Sequence, residues 1–167
     1  MSDLYTELLV KKQKTAKDSL VKIGMITLTV LAVIAGLIIH PYALILALGL
    51  FVADYFILPK TDLEYEYLYV NGDMDIDVIM SRQKRKKAIS FRIQDADIVA
   101  PVKSHRMDYY NNNTKMKVLD YSSGNPENKI FAVVTRVKNE PARILIEPDE
   151  KLAMQMKSSA PGKVFLD

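Results

Sequence analysis

The order of apolar and polar positions divides this chain near residue 60. Ile23 to Ile39 contains no charged side chain, nor does Tyr42 to Ala53, and the second apolar run continues through Asp54 to Leu58. Each run is 17 residues, or about 25 Å of helix, slightly short of a hydrocarbon core about 30 Å thick. Adding Ser19 to Lys22, with the Lys22 ammonium snorkelling to the headgroups, completes the first span. Neither run has a polar face to show water, which disfavours a soluble buried hairpin. Only His40 and Pro41 separate the runs, and proline suits the first turn of a second helix. So short a connection predicts an antiparallel transmembrane α-helical hairpin.

Beyond Pro59 the helical pattern gives way to alternation. Leu63, Tyr65, Tyr67 and Tyr69 share one face of a predicted strand, and Met74, Ile76, Val78 and Met80 share one face of the next. Asn71-Gly72 between them is a strong hairpin signal, because a type I′ turn needs positive φ at both central residues. A two-residue loop sets Tyr69 opposite Met74, Tyr67 opposite Ile76, Tyr65 opposite Val78 and Leu63 opposite Met80, all apolar or aromatic pairs. Further strands are predicted over residues 88–94, 97–102, 116–121, 130–137 and 143–147. Turn chemistry lies at Ser122–Asn128 and at Asn139-Glu140-Pro141. Ser104 to Tyr110 reads as a short helical turn. Pro148-Asp149-Glu150 opens a C-terminal helix that Pro161 stops, and Val164 to Leu166 adds an extended tail. About seven antiparallel strands followed by one helix is the order of a pleckstrin-homology-like (PH-like) domain, a mainly-β, partly open barrel capped by a helix. The division is therefore residues 1–60, an amphipathic segment plus hairpin, and residues 61–167, a PH-like domain.

Composition sharpens this picture in two places. The chain of 167 residues has no Cys, which excludes disulfides, thiol catalysis and thiolate metal sites. Its net charge of +3 is too small to imply a nucleic-acid partner. The placement of charge is more informative. Lys11, Lys12, Lys14, Lys17 and Lys22 precede the first span, Lys60 follows the second, and the turn between them has no Lys or Arg. By the positive-inside rule both termini are expected in the cytoplasm, with the first run a retained anchor rather than a cleaved signal. Residues 2–22 read as a helix with Leu4, Leu8 and Leu9 on one face, either lying along the inner leaflet or extending the first span.

Three features are candidates for chemistry. Asp54 is the one acid within the apolar runs, and depth arithmetic about a turn centred between residues 40 and 41 sets it opposite Thr27. A hydrogen bond to Thr27 or a reach from Lys22 would satisfy it; an ion or proton path would need oligomers. The run Ser81–Lys87 (SRQKRKK) supplies Arg82, Lys84, Arg85, Lys86 and Lys87. It reads as a loop that either binds anionic headgroups or is simply solvated beside acidic strands. Asp73, Asp75 and Asp77 form an acidic row for which Arg or Lys from a neighbouring strand is the expected balance. An EF-hand is excluded, since Val78 and Lys84 stand where that loop requires Gly and Glu. His40 lies in the outer turn and His105 has no metal-ligand or nucleophile neighbour at a meaningful spacing. No phosphate loop, HExxH or G-x-S-x-G occurs. Neither catalytic residues, a metal site nor a cofactor is expected, and the chain is read as a non-enzyme.

The stretches VADYFILPKTDLEYEYLYVNGDMDIDVIM, KRKKAISF, ADIVAPVKSH, KVLDYSSG and KVFLD resemble a family of small two-span bacterial membrane proteins whose shared domain has no assigned function. The resemblance covers nearly the whole chain. It implies a bacterial membrane location, which the charge placement narrows to the cytoplasmic membrane, and carries no activity, substrate or site with it. In strand order the chain is also similar to bacterial PH-like domains attached to membrane helices, which are lipid-facing or assembly modules. The leading expectation is a membrane-anchored scaffold that meets a protein partner or a second copy at the bilayer. Anionic-lipid binding through residues 82–87 and an accessory role in a transporter are the alternatives. No nucleic-acid partner is expected, because no aromatic stacking platform accompanies the basic run.

Overall fold

A computed structural model describes residues 5–167. It resolves into two compact units, one of residues 13–63 and 79–84, the other of residues 5–12, 64–78 and 85–167. The first unit is built on two helices, α1 (Ala16–Ile38) and α2 (Ala43–Ile57). A capping box starts α1: Thr15 Oγ1 accepts from the Asp18 amide at 3.2 Å, and the Asp18 carboxylate accepts from the Thr15 amide at 3.0 Å. The helices run antiparallel and touch along Ala32, Gly36 and Ala47, all buried. Gly36 is required there, since a Cβ would lie 2.6 Å from Leu44 Cδ2 and 2.9 Å from the Leu44 backbone nitrogen. A 3₁₀ turn at Leu58–Thr61, with proline near its start, ends the hairpin. α1, and α2 together with this turn, are each long and apolar enough to cross a membrane.

Among the described residues the chain forms eight strands: β1 (Tyr5–Lys11), β2 (Leu63–Val70), β3 (Asp73–Met80), β4 (Lys84–Arg92), β5 (Ile98–Pro101), β6 (Lys117–Asp120), β7 (Phe131–Val137) and β8 (Glu140–Ile146). One sheet has the order β1-β2-β3-β4 and the other β5-β7-β8-β6; the two are not closed into a barrel. Two further helices follow in sequence, the single turn α3 (Asp108–Asn111) and the C-terminal α4 (Glu150–Ser159). Beyond residue 22 the order of elements expected from the sequence is present. Asn71 and Gly72 have φ of +50° and +102°, as the type I′ turn between β2 and β3 requires.

The first strand corrects the helix expected over residues 2–22. Ser2 and Leu4 lie outside the described residues, and Tyr5–Lys11 pairs antiparallel with β2, Thr6 opposite Tyr69 and Val10 opposite Tyr65. Thr6 and Val10 point inward, Leu8 is half-buried, and Tyr5, Glu7, Leu9 and Lys11 are exposed. This is period-two burial, and what selects it is the free edge of β2 that the strand covers. A second correction concerns strand sense: β6 runs parallel to β8, and Val164 bridges Val99 in parallel. The third concerns turns. β8 begins at Glu140 and turns through Lys138 and Asn139, both with positive φ. β4 begins at Lys84, so the basic run is largely strand rather than loop.

The core of the β unit follows from these elements. Tyr65, Tyr67, Tyr69, Met74 and Ile76 from the first sheet meet Val99, Phe131, Val133, Ile144 and Ile146 from the second, with Leu152 and Met156 of α4 closing the cluster. The tyrosine hydroxyls tether this core. Tyr67 Oη donates to the Tyr121 carbonyl and accepts from the Glu147 amide, while Tyr69 Oη bonds Ser159 and the Gln155 carbonyl of α4. On its other face β7 turns Ala132 and Val134 toward Met107 and Met116.

Candidate functional site

The charged face of the first sheet is set by alternation. In β2 and β3 the tyrosines, Met74 and Ile76 face the core, so Glu66, Asp73, Asp75 and Asp77 face outward. β4 answers them. Arg85 pairs with Asp77 at 2.6 Å and also with Glu66, Lys87 pairs with Asp75 at 2.9 Å, and Arg92 pairs with Asp73 at 3.0 Å. Ser90 adds a hydrogen bond to Asp75. The acidic row is thus balanced by its neighbouring strand. Odd-numbered Arg85 and Lys87 and even-numbered Ser90 and Arg92 all reach the aspartates, while Ile89 is buried. Strict alternation therefore does not hold along β4.

The electrostatics follow the geometry. Hydrogen bonds from Ser90 and then Lys87 hold the Asp75 carboxyl below the usual carboxylate range. Glu66 goes the other way: burial raises it, and the neighbouring Glu7 adds to this, against the opposing Arg85 guanidinium. Glu7 itself accepts from the Tyr5 hydroxyl at 2.8 Å.

The five basic residues of the run therefore have different surroundings. Arg85 and Lys87 are held by carboxylates. The Lys84 ammonium lies 4.0 Å from the Tyr55 ring centroid and 5.9 Å from that of Phe56. Lys86 is exposed on the strand, and Arg82 is exposed in a turn with φ of +57°.

In the hairpin, Asp54 is 8% exposed and its Oδ2 accepts a hydrogen bond from Thr29 Oγ1 at 2.7 Å. The partner is Thr29 rather than Thr27 or Lys22, both of which are exposed. The helices end at Ile38 and restart at Ala43, so the turn centres between residues 40 and 41 as expected. Thr29 lies only about 3 Å further along α1 than Thr27, and of the two it is Thr29 that is turned toward Asp54 while Thr27 is exposed. The second carboxylate oxygen, Oδ1, is buried with no hydrogen-bond partner. Asp54, Tyr55 and Lys84 also line a cleft of about 340 Å³ at the end of α2, a feature to which the sequence offered no pointer because its walls come from residues 51–59 and 80–84.

Of the histidines, His40 stacks on Tyr42 and His105 is exposed beside Asp108 at 3.2 Å. The family model described as Bacterial PH-like domain (DUF6106) matches residues 2–166. No curated protein and no solved structure matches the chain.

Proposed function

The chain belongs to the bacterial PH-like domain family DUF6106, and from that premise we propose a non-enzymatic scaffold or adaptor anchored in the bacterial cytoplasmic membrane. The observation that carries the anchoring is the outer surface of the hairpin. Leu20, Ile23, Leu31 and Leu37 of α1 and Ile45, Leu48, Phe51 and Phe56 of α2 are each more than half exposed, an apolar surface that water would not tolerate and a bilayer would cover. The lysines flanking the hairpin support an orientation with both termini in the cytoplasm. The β unit then meets its partner, a membrane or cytoplasmic protein or a second copy of the chain, at the inner leaflet.

Recognition of anionic lipid by Arg82, Lys84, Arg85, Lys86 and Lys87 acting together is the weaker reading, because Arg85 and Lys87 are already engaged by Glu66, Asp75 and Asp77. Docking as a transporter subunit through small residues is weakened in the same way, since Ala32, Gly36 and Ala47 are used within the hairpin. The test is crosslinking of the full chain in native membranes followed by mass spectrometry. A reproducible protein partner or a homo-oligomer is expected; recovery of the lone monomer would refute the scaffold.

A further inference from the structure

The cleft beside the last turn of α2 has a wall of Phe51, Tyr55 and Leu58 and polar positions at Asp54, Gln83 and Lys84. Two opposite charges bound it. Lys84 is exposed, its ammonium seated over the Tyr55 ring at 4.0 Å. Asp54 is buried, with one oxygen satisfied by Thr29 and the other without a donor. A buried carboxylate oxygen left unpaired is costly, and its persistence calls for a ligand or a charge partner. The turn that presents Gln83 and Lys84 is itself held in an uncommon conformation. Ser81 and Arg82 both have positive φ without being glycine, and the Ser81 amide is fixed on the Asp62 carbonyl at 2.7 Å.

We propose that this cleft binds a bilayer phospholipid whose headgroup carries a phosphate next to a primary ammonium. The phosphate is recognised by Lys84, the ammonium is drawn toward Asp54, and the first acyl methylenes lie along Phe51, Tyr55 and Leu58. The inference rests on the hairpin spanning the bilayer, which sets the cleft at headgroup depth beside Lys60. The charge pattern selects the headgroup. A phosphate alone gains Lys84 but is repelled by Asp54. A quaternary ammonium balances Asp54 but brings no N–H to its carboxylate. A primary ammonium supplies both charge and donor.

The test is native mass spectrometry of the full chain in detergent, titrated with phosphatidylethanolamine, phosphatidylglycerol or phosphatidylcholine bearing identical acyl chains. Phosphatidylethanolamine is expected to be retained about tenfold better than the other two, a preference that two charge-assisted contacts readily supply. Lys84→Ala and Gln83→Glu, both at exposed positions, should each abolish that retention, the second by repelling the phosphate. Asp54→Asn should erase the preference of phosphatidylethanolamine over phosphatidylglycerol. Equal retention of the three lipids, or unchanged binding in Lys84→Ala and Gln83→Glu, would overturn the proposal. So would displacement of the lipid by soluble glycerophosphoethanolamine, since the apolar wall would then contribute nothing. Alkaline extraction of membranes checks the underlying reading separately: the wild type and both exposed-site variants should stay in the membrane, and release of the wild type would refute spanning whatever the lipid data show.

Discussion

Removal of one hydroxyl, in Tyr67→Phe, probes how the β unit is held together. Tyr67 is completely buried. Its Oη donates to the Tyr121 carbonyl and accepts from the Glu147 amide at 3.2 Å, so one atom joins β2 to the segments that follow β6 and β8. Burial pushes its phenol well above the ordinary 10.0, so the donor stays in place at alkaline as well as neutral pH. Phenylalanine preserves the ring packing but strands an N–H and a C=O. Each hydrogen bond is worth about 1 kcal/mol net and a stranded buried group costs about 1–3 kcal/mol, so the loss should be about 2–3 kcal/mol. For a chain of this size that is a fall of roughly 5–10 °C in Tm, measured by circular dichroism of the full chain in detergent. Tyr5→Phe is the control: its hydroxyl is exposed and bonds only Glu7 among the hydrogen bonds described, so its effect should stay within about 0.5 kcal/mol. A Tyr67→Phe melt indistinguishable from wild type would refute the claim that this hydroxyl tethers the two sheets.

The raised Glu66 carboxyl means that the folded chain holds this proton to higher pH than the unfolded chain, so its contribution to stability falls as pH rises above the ordinary 4.5. Glu66→Gln should therefore gain stability relative to wild type over that range, and denaturant titrations showing no such pH-dependent gain would exclude the effect. Thr29→Val should destabilise the hairpin by about 0.6–1.7 kcal/mol, the range of buried hydrogen bonds between membrane helices, whereas Thr27→Val should be neutral by thermal unfolding in detergent. Gly36→Val should separate α1 from α2, read as loss of crosslinking between cysteines introduced on the facing helices of this Cys-free chain. Gly49→Val, where a Cβ meets nothing within 4 Å, should leave that crosslink intact.

How much of this was legible in the sequence depended on whether a signal was local. The turn at Asn71-Gly72 was readable because glycine marks positive φ. The turns at Ser81-Arg82 and Lys138-Asn139 have the same handedness without glycine, and reading each a few residues too late displaced the strand starts of β4 and β8. The short N-terminal segment fits both periods: Leu4 and Leu8 suggest a helix face, Thr6, Leu8 and Val10 a strand face. Only the open edge of β2, many residues away, decides between them. Glu64 and Glu66, both buried in β2, pointed the other way in the sequence, since charged residues ordinarily mark an edge strand.

The charge pattern behaved differently, because opposite charges find each other over many possible registers. That the DMDID row would be balanced by a basic neighbour was readable without knowing that Arg85, Lys87, Ser90 and Arg92 would all reach it. The same balance changes what the basic run can do. A row of five cations read as a surface for a charged membrane becomes in part a structural brace, once Arg85 and Lys87 are taken up within the sheet, and Lys84 has its own aromatic seat on α2. Recognition at this end of the hairpin is therefore better understood as a matter of one placed cation and one buried acid than of net positive charge. Because Lys84 is exposed, its phosphate contact should weaken in moderate salt, which screens exposed charges over about 8–10 Å, whereas the contribution of the apolar wall of the cleft should persist.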